Sequence, residues 1–234
     1  MAKLPHLYLL RHGETAWSLT GRHTGRTDIP LTARGEDGAR GLRQHLREIH
    51  FTRVLTSPRA RARRTCELAG LEPRAEVEPD LAEWDYGAYE GQRSADIHQG
   101  RPDWNLFRDG CPRGEISAQI SARADRLIAR LRALDGNVAL FSHGHFGRVL
   151  GVRWIGLPVT AAQRFLLSPA AMSILGHEHD RADQPVIVRW NVGAHECFDP
   201  GGDARPDDTG IMQPGPIERG ENEGGEMPPI GTSQ

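Results

Sequence analysis

The sequence predicts an α/β protein in three layers, a mostly parallel central sheet with helices on both faces. Short apolar runs alternate along the chain with stretches of helical periodicity, and three of those runs stop abruptly in polar loops. The length, 234 residues, fits one main core.

Residues 7–10 are an apolar run broken at Arg11-His12-Gly13, the form of a buried parallel strand that ends in a polar loop. Loop residues continue through Gly21 and Gly25 to Pro30, and Thr32 then caps a helix over 33–49 with Ala39, Leu42 and Leu46 on its apolar face. Residues 54–56 read as a second strand, followed by Ser57 as N-cap, Pro58 at the first helical position and a helix to about 69. Residues 72–81 are extended and irregular, and 83–91 have the aromatic and glycine mixture of a structured loop. Pro102, Gly110 and Pro112 permit only short helices between 93 and 113.

Ile116, Ile120, Ala124, Leu127, Leu131 and Leu134 recur at spacings of three and four, which predicts an amphipathic helix over 116–134. Residues 137–141 form a buried strand that runs directly into Ser142-His143-Gly144-His145, ahead of a helix through about 155. Residues 171–175 and 186–190 are later strands, read as a hairpin at one sheet edge. Glycine, proline and acidic residues dominate from Asp199, so the reading is a domain over 1–198 and a disordered tail over 199–234. In such sheets ligands collect beyond the carboxyl ends of the strands, where all three polar loops are expected.

The formal net charge is −2, so no global field draws the chain to nucleic acid or to an anionic membrane, and any anion must be bound locally. Cys66, Cys111 and Cys197 are odd in number and widely spaced, which argues against a disulfide framework and for a reducing cytoplasm. The first ten residues lack the pattern of an export signal, and no stretch approaches the roughly 20 apolar residues that cross a bilayer.

The strongest chemical signal is Leu9-Leu10-Arg11-His12-Gly13-Glu14-Thr15. An apolar strand delivers Arg and His side by side, and Gly13 is expected to let the backbone approach a bound group. An imidazole attacks phosphorus when its other nitrogen is held, and a guanidinium beside it binds phosphoryl oxygens bidentately.

Arg11-His12-Gly13-Glu14-Thr15, with GRTDIPLTARG over 25–35, resembles the histidine phosphatase superfamily, also called phosphoglycerate mutase-like. Ser57-Pro58-Arg59-Ala60-Arg61-Ala62 is similar to its second signature, with the arginine at Arg61. Leu81-Ala82-Glu83-Trp84-Asp85-Tyr86-Gly87 resembles the proton-donor segment and places the acid at Glu83; Ser142-His143-Gly144 resembles the segment of the second histidine. The resemblance implies a phosphoglycerate mutase-like fold and a catalytic set of His12, Glu83, Arg11, Arg61 and His143. It also implies a substrate-binding set of Ser18, Thr24, Tyr86, Gly144 and His145, no cofactor, and a small phosphorylated substrate. His12 would take the phosphoryl group, Arg11, Arg61 and His143 would hold its oxygens, and Glu83 would move the proton.

Glu83-Trp84-Asp85-Tyr86, His143-Gly144-His145-Phe146 and Trp17-Ser18 are most similar to a subgroup of sedoheptulose-1,7-bisphosphatases and bacterial acid phosphatases. Mutases carry Asn where Ser18 stands, a basic residue where Ser94 stands and a longer insertion before the second histidine, although Arg93 lies one position from that base. The resemblance thus favours a phosphatase acting on sugar phosphates or a broad range over a mutase-type phosphotransferase. Gly114-Glu115-Ile116 departs from the common Gly-Glu-Ser, which removes a hydroxyl at the start of a long helix.

Competing readings are weaker. His143-x-His145 and His177-x-His179 have the alternation of metal ligands on a strand, but no carboxylate or cysteine cluster completes either, and no metal is expected. Arg59 to Arg64 spread around a helix axis instead of forming a nucleic-acid stripe. A non-catalytic phospholigand-binding role would be marked by loss of His12 or Glu83, and both are present. A homo-oligomer through residues 171–175 as an exposed sheet edge stays open.

Overall fold

In the computed structural model, which describes residues 4–194 and 196, one sheet holds β1 (His6–Arg11), β2 (Phe51–Thr56), β3 (Ala75–Val77), β4 (Asn137–Ser142), β5 (Ala171–His177) and β6 (Pro185–Gly193). The spatial order is β3-β2-β4-β1-β5-β6. The first four pair in parallel, and β5 runs antiparallel to both β1 and β6. The helices are α1 (Ala16–Leu19), α2 (Ala33–Leu46), α3 (Ala60–Leu68), α4 (Ser94–Gly100), α5 (Leu106–Asp109), α6 (Ser117–Leu131) and α7 (Gly144–Trp154).

Strand alternation divides the core between two faces. Leu7 and Leu9 of β1 and Val138 and Leu140 of β4 pack with Ile120, Leu127 and Leu131 of α6 and Val149 and Leu150 of α7. Tyr8, Leu10, Ala139 and Phe141 point the other way, toward Leu42 and Leu46 of α2 and Cys66 of α3. Because the central strands are covered on both faces, they read as unbroken apolar runs; each large buried side chain contributes roughly 1.5–3 kcal/mol. The three-layer expectation holds.

Several boundaries differ from the sequence reading. The helix expected from Ser57 and Pro58 begins at Ala60, with Arg59 in the cap position and no side-chain cap of its own. Ser57 Oγ instead accepts from Arg59 N at 3.2 Å, and the free Ala60 N–H is taken by Asp28 from a distant loop at 3.0 Å. Thr32 does cap α2, accepting from Gly35 N at 3.0 Å, but the helix stops at Leu46 instead of 49. The irregular stretch 72–81 contains β3, too short and too exposed to leave an apolar pattern. β5 is not an exposed edge: it lies between β1 and β6 with every residue buried, and β6 is the outer strand.

Cys66 and Cys111 are buried, and burial pushes both thiols up to about 12, so neither is a reactive thiolate. Cys197 and the tail over 199–234 lie outside the described residues. Among the described residues no helix is long and apolar enough to cross a membrane.

Candidate active site

β4 lies between β1 and β2, and the three strands end level with one another. Arg11 is registered with Ser142 and Thr56 with Phe141, while His12 N donates to Ser142 O at 3.0 Å and Ser57 N to Phe141 O at 2.9 Å. The next residue on each strand is therefore His12, Ser57 or His143. The His12 and His143 rings lie edge to face with centroids 5.2 Å apart.

His12 is buried, and its Nδ1–H donates to the Gly13 carbonyl at 2.7 Å. Burial first, then the positive charges of Arg61 and Arg11, hold its pKa well below the ordinary imidazole value, against a smaller opposing effect of the Gly13 bond. The ring is neutral with its proton on Nδ1, which leaves the Nε2 lone pair available. Gly13 serves contact between two backbones: a Cβ there would sit 2.2 Å from the carbonyl oxygen of Gly35.

His143 is fully buried and likewise held neutral, by burial and then by Arg61. Its Nε2 meets Ser57 Oγ at 2.7 Å. The other partner of that oxygen, Arg59 N–H, is a donor, so Nε2 is the acceptor within reach of the Ser57 hydroxyl proton; satisfying that proton places the proton of His143 on Nδ1, which has no partner in the protein.

Arg61, on the first turn of α3, is fully buried. Its Nη atoms donate to the carbonyls of Thr24, Gly25 and Thr27 at 2.8 to 3.1 Å, and its Nε is unpartnered. Arg11 donates from Nη1 to Leu167 O, and its Nε is also unpartnered. A side chain at Gly144 would meet this guanidinium at 3.2 Å, so the glycine makes room for it.

Glu83 reaches the same place from a loop. Its carboxylate accepts from its neighbour Trp84 N at 2.9 Å, and from His145 N at 3.1 Å and Phe146 N at 2.7 Å in the first turn of α7. The helix N-terminus supplies two otherwise orphaned donors, which fix both carboxylate oxygens.

A pocket of about 200 Å³ opens onto this group and is lined by Arg11, His12, Glu83 and all five of Ser18, Thr24, Tyr86, Gly144 and His145. Arg61 and His143 are not among the lining residues; both are fully buried. Ser18 is present, but its hydroxyl is engaged with Thr15 in the cap of α1. Tyr86 OH and His145 Nδ1 are 2.6 Å apart. Burial raises the Tyr86 pKa well above 10 and lowers that of His145 well below 6.5, so the phenol donates and His145 carries its proton on Nε2.

The pocket also includes Gly21, Arg22, His23, Ser94, Arg148 and Leu167, which sequence reasoning did not select. Arg148 follows His145 by three residues on α7, a helical spacing that was a usable signal. His23 gave none: it comes from a loop, stacks 4.7 Å from Tyr86, and is pushed down to about 4 by burial. His143 and His145 stand at a helix start and not on a strand, and among the described residues no group of three or more His, Cys, Asp or Glu is placed to hold a metal ion. His177 ends β5, and His179 sits in the following turn at φ 50°.

A neutral, oriented imidazole among arginines, with a carboxyl group in the same pocket at the carboxyl edge of an α/β sheet, is an arrangement chemically able to transfer a phosphoryl group. The histidine phosphatase superfamily (branch 1) matches residues 7–193, and the chain belongs to it. An acid phosphatase of Mycobacterium tuberculosis is 46% identical over 177 residues, covering 74% of this chain and 87% of its own. A sedoheptulose 1,7-bisphosphatase of Saccharomyces cerevisiae is 38% identical over 189 residues, 66% of this chain and 69% of its own. The solved structure of an open reading frame product of Mycobacterium tuberculosis superposes with TM-score 0.76 at 41% identity, covering 81% of this chain and 98% of that one.

Proposed function

We propose that this chain is a metal-independent phosphomonoesterase that passes the phosphoryl group through His12. The observation that carries the reading is the His12 imidazole: neutral, protonated on Nδ1 by its 2.7 Å bond to Gly13, and placed in one pocket with Glu83. In the first step Nε2 attacks phosphorus, the N–P bond forms, and the P–O bond to the leaving group breaks as Glu83 gives that oxygen a proton. In the second, Glu83 takes a proton from water, the water oxygen attacks phosphorus in line, and the N–P bond breaks. Arg11, Arg61 and the Nδ1–H of His143 hold the equatorial oxygens, where charge gathers in the transition state. The two arginines supply the positive charge that a metal ion provides in other phosphatases, and neutral His143 adds a hydrogen-bond donor.

Sugar phosphates are the substrate class the pocket suits best. Its outer wall offers neutral donors and acceptors for hydroxyls in His23, His145, Thr24 and Ser94. Arg22 and Arg148 also line it, and neither forms an ion pair with a carboxylate among the described residues, which suits a second anionic group on the leaving group. One relative is named for a sugar bisphosphate and another as an acid phosphatase.

The test is phosphate release in EDTA from sugar monophosphates, sugar bisphosphates and p-nitrophenyl phosphate, for wild type and His12→Ala. EDTA-resistant turnover that is lost in the variant is expected, with bisphosphates preferred. EDTA-sensitive turnover that survives His12→Ala would overturn the reading. Binding without turnover would leave a mutase-type phosphotransferase or a phospholigand-binding protein.

A further inference from the structure

Behind the catalytic carboxyl group lies an ion pair that does not line the pocket. Arg123 of α6 and Glu115 are 2.7 Å apart, with side chains only 12% and 19% exposed. A guanidinium has five N–H groups, and here each has a protein acceptor. Nε and one Nη2 proton meet the two Glu115 oxygens at 2.8 and 2.7 Å. Nη1 reaches the carbonyls of Asp80 and Ala82 at 2.8 and 2.7 Å, and the remaining Nη2 proton points to the Glu83 carbonyl at 3.4 Å.

The far side of the loop is tied to the same pair. Glu115 accepts from Asp85 N at 2.9 Å through its carboxylate and from Trp84 Nε1 at 2.9 Å through its carbonyl. The two backbones touch closely enough that a Cβ on Gly114 would fall 2.2 Å from Asp85 O. Arg123 also stacks 4.3 Å over the ring of Phe146, whose backbone N–H holds Glu83 Oε1. One guanidinium thus touches the loop on which Glu83 stands and the helix turn that grips its carboxylate.

We propose that Arg123 and Glu115 are positioning residues that set the reach of Glu83 to the leaving-group oxygen. This rests on the reading of Glu83 as the proton donor. A misplacement of about 1 Å at a reacting group costs on the order of 10²-fold, and general acid catalysis is itself worth roughly 10²–10⁴-fold. The effect falls chiefly on proton transfer, because Arg11 and Arg61 stand on β1 and α3, and the His143 ring, although at the start of α7, is held by Ser57.

The experiment compares kcat/KM, which stops at formation of the phosphoenzyme, for two substrates. A sugar phosphate needs a proton on its departing alkoxide, whereas p-nitrophenyl phosphate expels a phenolate that needs none. For Arg123→Lys and Glu115→Gln, the sugar phosphate is expected to lose roughly 10–100-fold and p-nitrophenyl phosphate at most about threefold. Glu83→Gln serves as reference and should show the same selectivity more strongly. The p-nitrophenyl rate reports a folded site, and the isosteric Glu115→Gln carries the test if Arg123→Lys does not fold. Parallel losses on both substrates, or none, would refute the positioning role while Glu83→Gln stays selective. Equal losses in Glu83→Gln would remove the acid assignment itself, and the positioning role with it.

Discussion

Ser57→Ala probes the link between a fold feature and a catalytic one. The substitution deletes the 2.7 Å hydrogen bond to His143 Nε2 and the 3.2 Å acceptor of Arg59 N. Leaving a buried nitrogen unpartnered costs about 1–3 kcal/mol, and losing a turn acceptor about 1 kcal/mol more. At 2–4 °C per kcal/mol for a domain of this size, the melting temperature should fall by roughly 4–16 °C. The kinetic effect has two bounds. Without the hydroxyl neither His143 tautomer is favoured, so Nδ1–H faces the site in about half of the molecules and the loss is at least about twofold. Removing an oriented donor altogether costs on the order of 10²–10³-fold, which is the expectation for His143→Ala. Ser57→Ala should lie between these, near a tenfold fall in kcat/KM, and Ser57→Thr should retain most of the activity. Thermal melts and initial rates of phosphate release measure both. Unchanged kcat/KM in Ser57→Ala, or a loss as large as that of His143→Ala, would refute the assignment of Ser57 as the group that orients His143.

Three further outcomes are expected. Because burial and two arginines depress the His12 pKa, the nucleophile stays unprotonated as pH falls, so the acid limb of kcat/KM should lie well below 6.5; a limb at 6.5 in the pH-rate profile would contradict this. His23 titrates at about 4 in the fold against 6.5 in an open chain, so the unfolded state takes up a proton first and stability present above pH 6.5 is lost as pH falls toward 4. That contribution is at most roughly 3 kcal/mol, and denaturant melts of His23→Gln should show a flatter decline over the same window, whereas an identical slope would mean that His23 is not held neutral. Ile116 occupies the cap position of α6 without a side-chain bond, half-exposed and outside the pocket. Ile116→Ser should therefore raise stability by about 1 kcal/mol with rates unchanged, and a melting temperature at or below that of wild type would count against the cap argument.

The parts legible in the sequence are those with local causes. β1 and β4 are apolar because both faces are covered, α6 repeats at helical spacing because one face packs on the sheet, and His12 and His143 follow strand ends directly. Glu83 was reached through resemblance, since nothing in its spacing announces a carboxyl group held by the first turn of α7. The start of α3 was misread because Ser57 has the type of a cap residue, yet its hydroxyl is drawn to a histidine 86 positions away. The contact that requires a glycine at 13 left no sequence signal for the same reason, its partner being the distant backbone of Gly35. His23 and Arg22 enter the pocket through loop geometry, which leaves no periodic trace.

The most direct test of the central claim is to trap the phosphoenzyme. Wild type mixed with substrate and quenched within one turnover should carry an acid-labile, base-stable phosphoryl group, which peptide mass spectrometry places on His12 and which is absent from His12→Ala. Full turnover with no covalent phosphoryl group at any quench time, or a phosphoryl group on another residue, would contradict the account.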